Sequence, residues 1–387
     1  MKQLSLFLFL LITISCSVYA HNYQVASESQ MKSVIPKLLA GDEVIIKNGA
    51  YDNWVIEITS QGTAKAPIII RAENEGSVIF SGDINQSIFK LSGNYITLSG
   101  ITFKDCMIFK SVALAVLNNS QNCSIIKCTF ISNTTRVQYT PLIVVSGDGK
   151  NNQVSHCHFA SNIDNQDVQV KITKEASPLH TVIEHNLFEN KSKVSWKNGN
   201  GGECVQVGQD PVLLGHLISK TQVRFNRFIR CNGEGEVVSN KSSENIYLKN
   251  YFENNNGELV MRGGHDCLID GNIFKGGSGG IRINGTGHTI INNQISGVKT
   301  AIRLMYGMAK GKDEIGFYIA ASGCTIKSNV IDHATIGILV GDSKDVDWTG
   351  KFDTKRYPSP VMQSIVPFHN DIKENVFTKT EKSLMIR

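Results

Sequence analysis

The stretch Val182-Ile183-Glu184-His185-Asn186-Leu187-Phe188 holds the pattern that decides the fold of this chain. In it, an apolar residue is followed three positions later by asparagine and five positions later by phenylalanine. The same spacing, ending in phenylalanine or isoleucine, recurs at 223–228, 246–252, 268–274, 290–295 and 326–331, and looser copies lie at 96–103, 125–130, 154–159 and 372–377. A motif that returns every few tens of residues is typical of a repeat protein.

Each copy alternates apolar and polar residues over a short run, which is the periodicity of a β-strand. Strands this short bury little surface alone, but stacked coils make a continuous apolar column. We therefore predict an all-β, single-domain, right-handed parallel β-helix over residues 21–387. The recurrent asparagine is predicted to lie in a turn, in the left-handed region of backbone space, and to form a hydrogen-bonded ladder with its copies.

Residues 27–39 depart from the strand pattern. Helical spacing is shown there by Met31, Val34, Ile35, Leu38 and Leu39. The pattern predicts a short helix that caps the open N-terminal end of the solenoid, where backbone groups would otherwise be unpaired.

The first twenty residues have the features of a secretory signal peptide: Lys2, an apolar run at 6–12 and small residues up to Ala20. The mature chain is then expected to begin at His21 and to be secreted or periplasmic. A lipid anchor on Cys16 is the alternative. No later stretch has the length of apolar sequence that spans a bilayer, so we expect no integral membrane segment.

The formal net charge is +5, which is too small an excess to predict nucleic-acid binding and suits an anionic polymer.

Nine cysteines occur without a Cys-x-x-Cys pair, which argues against a zinc knuckle or a thioredoxin-like motif. Cys128, Cys157 and Cys267 are expected to be buried, inert thiols within short strands. We expect a monomer.

Four segments depart from the repeat and are predicted to be loops that wall a groove on one face: 189–202, 209–217, 306–316 and 346–367.

Glu234 and Glu236 stand out in the polar run that begins at Asn232. Two residues apart, they point to the same side of a strand. Oxygen ligands without His or Cys favour a hard cation such as Ca²⁺ over zinc. A solvated pair of surface glutamates is the alternative interpretation.

The runs GEGEVVSNKS at 233–242 and LVMRGGH at 259–265 resemble the signature of polysaccharide lyase family 6, which contains alginate lyases and the dermatan-cleaving chondroitinase B. The likeness extends to 40–51 and 280–283. The resemblance implies calcium ligation by Glu234 and Glu236, a Brønsted base at Lys241 and a Brønsted acid at Arg262.

The resemblance also implies a third calcium ligand, an asparagine on the preceding coil. Asn200 is preferred, and Asn198 and Gln206 stay open as alternatives. Further substrate-binding side chains are predicted at His265, Arg282, Arg303, Arg136 and Tyr139, each of which has a structural role as its alternative. Trp196 and Lys197 are candidates for stacking on a sugar or pairing with it.

The expected activity is therefore Ca²⁺-dependent β-elimination of an acidic polysaccharide, namely alginate and its mannuronate-rich blocks. A dermatan sulfate lyase is the first alternative, and a non-catalytic polysaccharide-binding protein is the second. The aspartate motifs of polygalacturonase-like hydrolases and the Asp-Pro-His-Glu motif of mannuronan epimerases are missing from the sequence.

Overall fold

Short strands from successive coils stack side by side into three long parallel sheets. The computed structural model describes residues 20–387. Sheet 1 contains Asn22–Val25, Glu43–Ile46, Ile68–Ala72, Ile96–Ser99, Ser124–Ile126, Gln153–Ser155, Val182–Glu184, Gln222–Arg224, Ile246–Leu248, Leu268–Asp270, Thr289–Ile291, Thr325–Lys327 and Asp371–Lys373.

Sheet 2 contains Gly49–Tyr51, Val78–Ile84, Thr102–Ile108, Thr129–Ile131, His158–Ala160, Leu187–Lys191, Arg227–Cys231, Tyr251–Glu253, Ile273–Lys275, Gln294–Ser296, Val330–Asp332 and Val376–Thr378, with Thr134–Thr135 beside its third strand. Sheet 3 contains Ile56–Ile58, Phe89–Leu91, Ala115–Asn118, Pro141–Ser146, Gln166–Val170, Val205–Val207, Glu236–Lys241, Glu258–Gly263, Gly279–Ile283, Thr300–Met305, Ile336–Asp342 and Lys382–Ile386. The predicted parallel β-helix is confirmed.

The N-terminal helix is shorter than the sequence predicted. An α-helix spans Glu28–Val34, and a 3-10 turn continues it through Ile35–Lys37. The Ser27 hydroxyl caps the first turn by accepting a hydrogen bond from the backbone of Gln30. Met31 and Val34 are buried in the core, and the helix packs against the first strands of sheets 1 and 3.

The predicted signal peptide and the alternative lipid site at Cys16 fall outside the described residues, apart from Ala20. In the described part of the chain, no helix is both long and apolar enough to cross a membrane.

Stacked phenylalanines fill the interior. The rings of Phe130, Phe159, Phe188 and Phe228 lie parallel, with centroids 4.7 to 4.8 Å apart. This spacing equals the distance between paired strands, so each coil adds one ring to the column.

The asparagine ladder is confirmed between sheets 1 and 2, where it runs through Asn186, Asn226, Asn250, Asn272, Asn293, Asn329 and Asn375. Its predicted left-handed backbone is wrong. Positive φ occurs at the residue before each ladder asparagine, as at His185 (54°) and Phe225 (56°). The preceding residue makes the bend, which leaves the asparagine side chain free to bond inward.

The eight cysteines in the described residues are free and buried, as expected. Cys128 and Cys157, however, lie in the turns just after sheet 1 strands, and Cys267 lies just before the sheet 1 strand Leu268–Asp270, so none of the three is in a strand. The Cys157 thiol donates to the backbone carbonyl of Ile125, much as a ladder asparagine donates to the coil before it. Burial raises the pKa of the Cys267 thiol to about 12, which agrees with inert thiols.

The outer face of sheet 3 carries a cavity of about 860 Å³. Three of the four predicted loops contribute to its walls, through Asn200, Gln209 and Tyr357 among others, whereas no residue of 306–316 lines it. The strands of sheet 3 thus form the floor of the cavity, and the inserted loops form its walls.

Candidate active site

Three glutamates meet at the N-terminal ends of two neighbouring strands in the middle of sheet 3. Carboxylate oxygens of Glu203, Glu234 and Glu236 all lie within 4.8 Å of one another, and each residue is less than 10% exposed. Strand pairing brings them together, because Val205 pairs with Val238 and Glu203 and Glu236 each lie two residues before these partners. Glu234 lies in the turn just ahead of the same strand.

Glu234 is buried, and its surroundings disfavour its charged form. One of its oxygens accepts hydrogen bonds from the backbone amides of Gly201 and Gly202. Burial, reinforced by the negative charges of Glu203 and Glu236, nevertheless raises the pKa of Glu234 to about 8.

The surroundings of Glu236 have the opposite effect and favour its charged form. Its burial favours the neutral acid, but Arg262 and Arg282 outweigh that effect and lower the pKa of Glu236 to about 2. Arg282 Nη2 lies 2.7 Å and Arg262 Nη1 3.4 Å from the same carboxylate oxygen. The Ser239 hydroxyl donates to the other oxygen at 2.5 Å.

The cluster has the chemistry of a site for a hard cation. All of its donors are carboxylate oxygens, the ligand type that Ca²⁺ and Mg²⁺ prefer. Burial and the neighbouring carboxylates raise the pKa of Glu234, and a bound cation would favour its ionised form. These three acidic residues could therefore hold a metal ion.

Lys241, the predicted base, lies at the end of the strand Glu236–Lys241 and is 7% exposed. Its Nζ is 3.4 Å from Glu203 Oε1. The Glu203 carboxylate is held in turn by the side-chain amides of Gln166 and Gln206. Lys241 lines the cavity together with Glu203, Glu234 and Arg262.

Arg262, the predicted acid, lies one coil further along, at an irregularity where Asn240 pairs with Met261 but Lys241 pairs with Gly263. Its guanidinium carbon lies 5.8 Å from the centroid of the Phe317 ring and 5.7 Å from that of Tyr318. Although burial opposes the charge, Glu236 and other acidic neighbours raise the pKa of Arg262. The guanidinium therefore stays protonated.

The three candidates for the third metal ligand differ in their surroundings. Asn200 is exposed and lines the cavity, and its backbone amide bonds to Asn198 Oδ1. Asn198 donates to the Tyr139 hydroxyl at 3.3 Å, and Tyr139 also lines the cavity. The side-chain amide of Gln206 donates to Glu203, and the Gln206 side-chain oxygen accepts from the side-chain amide of Gln169. Gln206 therefore helps to hold Glu203 in place.

Two of the other predicted substrate-binding residues, Arg282 and Arg303, are held in ion pairs. Arg282 pairs with Glu236, and Arg303 pairs with Glu258 and Asp342 beside a second cavity of about 310 Å³.

His265 is buried, with Nδ1 accepting from the Thr286 amide. Burial and Lys312 lower its pKa to about 4, so the ring is neutral near pH 7. Arg136 is exposed and does not line the main cavity. Trp196 donates to the Asp164 carbonyl, and Lys197 is exposed.

Sequence reasoning missed Glu203, although it follows the run that supplied Asn200. The available signal was its position two residues before a sheet 3 strand, which matches that of Glu236. It also missed the aromatic and basic side chains of 346–367. This insertion contains no copy of the repeat, so its residues cannot be aligned with positions on other coils.

The family model of chondroitinase B matches residues 25–386, nearly the whole of the described chain. The chain belongs to the chondroitinase B family. This confirms the resemblance to polysaccharide lyase family 6 and, with it, the broad class of polysaccharide lyases. None of the curated proteins matches the sequence closely enough to be counted as a relative.

Solved structures of family 6 lyases share the fold. A mannuronic acid specific family 6 lyase from human gut microbiota has a TM-score of 0.78 at 23% identity, covering 95% of this chain and 82% of that one. The family 6 lyase Pedsa3628 from Pseudopedobacter saltans has a TM-score of 0.74 at 20% identity, covering 94% and 91%. The family 6 alginate lyase AlyGC has a TM-score of 0.77 at 22% identity, covering 95% of this chain and 53% of its own.

Proposed function

We propose that this family member is a Ca²⁺-dependent lyase that cleaves alginate, above all its mannuronate-rich blocks, by β-elimination. The observation that carries the proposal is the meeting of an acidic cluster with Lys241 and Arg262 at one cavity. A mannuronic acid specific family 6 lyase also has the same fold.

We assign calcium binding to Glu234 and Glu236, with Asn200 as the third predicted ligand and Glu203 as an additional carboxylate of the same cluster. Bound Ca²⁺ would neutralise the carboxylate of the uronate residue, which otherwise resists the build-up of negative charge after loss of the C5 proton. The cluster is suited to a cation because carboxylate oxygens of Glu203, Glu234 and Glu236 lie within 4.8 Å of one another.

Lys241 is assigned the removal of the C5 proton. Its amine accepts that proton only in the unprotonated form, so activity is expected to rise with pH. The electron pair left on C5 forms the C4–C5 double bond as the C4–O4 bond breaks. Arg262 is assigned as the acid toward O4; because Glu236 holds its guanidinium in the protonated form, it stabilises the developing charge, and water can supply the proton.

A dermatan sulfate lyase is the second candidate, supported by the chondroitinase B description of the matching family. Alginate is preferred because the sequence has no obvious additional basic cluster for the sulfates of dermatan. We further propose a secreted or periplasmic monomer from which residues 1–20 are removed.

Separate digestion of polymannuronate, polyguluronate and dermatan sulfate tests the proposal. Mass spectrometry should show products from polymannuronate that are lighter by one water than their saturated counterparts, together with ultraviolet absorbance of the unsaturated end. EDTA should stop their formation, and added Ca²⁺ should restore it. Saturated products would mean hydrolysis, and binding of polymer without any product would mean a non-catalytic protein.

A further inference from the structure

The segment 346–367 forms a wall of the active-site cavity that the proposed elimination does not use. Phe352, Asp353, Arg356 and Tyr357 line the cavity together with Phe317. The segment follows the sheet 3 strand Ile336–Asp342, several coils beyond Lys241 along the sheet. It therefore folds back across the intervening coils to reach the site.

Aromatic rings connect this wall directly to Arg262. The Phe317 ring lies against the Arg262 guanidinium and stacks on Phe352, with centroids 4.7 Å apart and planes inclined by 11°. The Tyr357 ring meets Phe317 edge to face at 5.6 Å. The wall thus begins at the predicted acid and continues outward along the cavity.

Arg356 adds a positive charge to this aromatic surface. Its guanidinium carbon lies 5.0 Å from the centre of the Tyr357 ring, and its side chain is 61% exposed. Among residues 20–387 its one ion pair is with Asp210, at 3.3 Å. A guanidinium has five N–H donors in a planar fork, so donors remain for a second carboxylate.

We propose that Arg356 and Tyr357 form a subsite for a uronate residue next to the one that is cleaved. Arg356 pairs with the carboxylate of that residue, as guanidinium groups do in bidentate contacts, while the rings of Tyr357 and Phe352 lie against the sugar. The inference rests on the proposed polyuronate lyase activity and adds a specificity-determining contact to it.

Arg356→Ala tests the subsite, with Lys355→Ala as the matched control. Lys355 is the adjacent, exposed residue of the same charge, and it does not line the cavity. On polymannuronate, Arg356→Ala should raise KM about tenfold while changing kcat less than twofold. Its affinity for an oligomannuronate, measured by calorimetry, should fall by a similar factor. Lys355→Ala should leave KM, kcat and affinity unchanged.

Asp210→Asn distinguishes two roles for Arg356. One is substrate binding, and the other is a purely structural ion pair that holds segment 346–367 to Asp210. Asparagine keeps an oxygen for the backbone amides of Val212 and Leu213, which Asp210 Oδ1 now accepts, but it removes the charge that competes for Arg356. The subsite predicts an unchanged or lower KM for Asp210→Asn. Equal losses of affinity in Arg356→Ala and Asp210→Asn would overturn it, as would unchanged affinity in Arg356→Ala.

The calorimetric measurement keeps this result independent of the proposed reaction. A wild-type protein that binds oligomannuronate without producing unsaturated ends would overturn the lyase assignment, whereas the affinity of Arg356→Ala would still decide the subsite. Normal turnover by the wild-type protein with no loss of affinity in Arg356→Ala would overturn the subsite alone.

Discussion

In the turn between sheets 1 and 2, seven coils place an asparagine at the same position, whereas along sheet 3 the paired position changes from Gln206 to Ser239, Val260 and Arg282. In the ladder, each side chain is satisfied by a copy of itself. On sheet 3, each side chain near the site has a different partner. Repetition therefore stabilises the solenoid, and departure from repetition builds the site.

Pairing geometry differs in the same way. Beside the ladder, sheet 1 strands keep a continuous register, as between Gln222–Arg224 and Ile246–Leu248. Between Glu236–Lys241 and Glu258–Gly263 the register shifts at two points, one near Glu236 and one before Lys241. Such irregularities re-aim side chains, and here they fall at the predicted metal ligand and the predicted base.

The largest effect is expected from Lys241→Ala, which should lower kcat by more than about a thousandfold if this amine is the base. Exposed Lys275 on sheet 2 supplies the control Lys275→Ala, which should keep wild-type activity. Product absorbance measures turnover, and circular dichroism checks the fold, because Lys241 is buried beside Glu203 and its loss leaves that carboxylate without its cation. Activity of Lys241→Ala above a few per cent would remove the residue as the base.

The repeated part of the fold could be predicted from the sequence, whereas the side-chain partners near the site could not. The ladder and the parallel sheets could be predicted from the spacing around Asn186, because every copy of that motif adopts the same geometry. The pairing of Arg303 with Glu258 and Asp342 could not, because it depends on side chains from coils with no shared motif. Glu203 and the cavity-lining side chains within the predicted loop 346–367 were missed for the same reason.

A smaller effect is expected from Asn250→Ala, which breaks the ladder away from the site. The Asn250 Oδ1 accepts from both the backbone amide and the side-chain amide of Asn226, and its own amide donates to the Val223 carbonyl. Leaving buried polar groups without partners should lower the free energy of unfolding by about 1–3 kcal/mol.

Urea unfolding measures this loss, with Asn256→Ala as the control, since Asn256 is exposed on a turn. The kcat of folded Asn250→Ala should stay near the wild-type value, because the ladder holds the coils and does not contact the cavity lining. A loss of kcat without a loss of stability would contradict the separation between ladder and site.

The smallest effect concerns the pH dependence of stability in the metal-free protein. Burial and its acidic neighbours raise the pKa of Glu234 from an ordinary value near 4.5 to about 8. Between these values the folded state binds more protons than the unfolded state, so this contribution to stability is present at low pH and is lost as pH rises toward 8. His265 and His288, whose pKa values are lowered to about 4, act in the opposite direction only below about pH 6.5.

Between pH 6.5 and 8 in EDTA, the free energy of unfolding should therefore fall by about 1–2 kcal/mol in the wild-type protein. Glu234→Gln, which cannot ionise, should show a flatter profile over the same range. Added Ca²⁺ should stabilise the wild-type protein more at pH 8 than at pH 6.5, because the cation binds the ionised carboxylate. Identical profiles for the two proteins would mean that Glu234 is already ionised at pH 6.5, and that Lys241, Arg262 and Arg282 balance the acidic cluster without a cation.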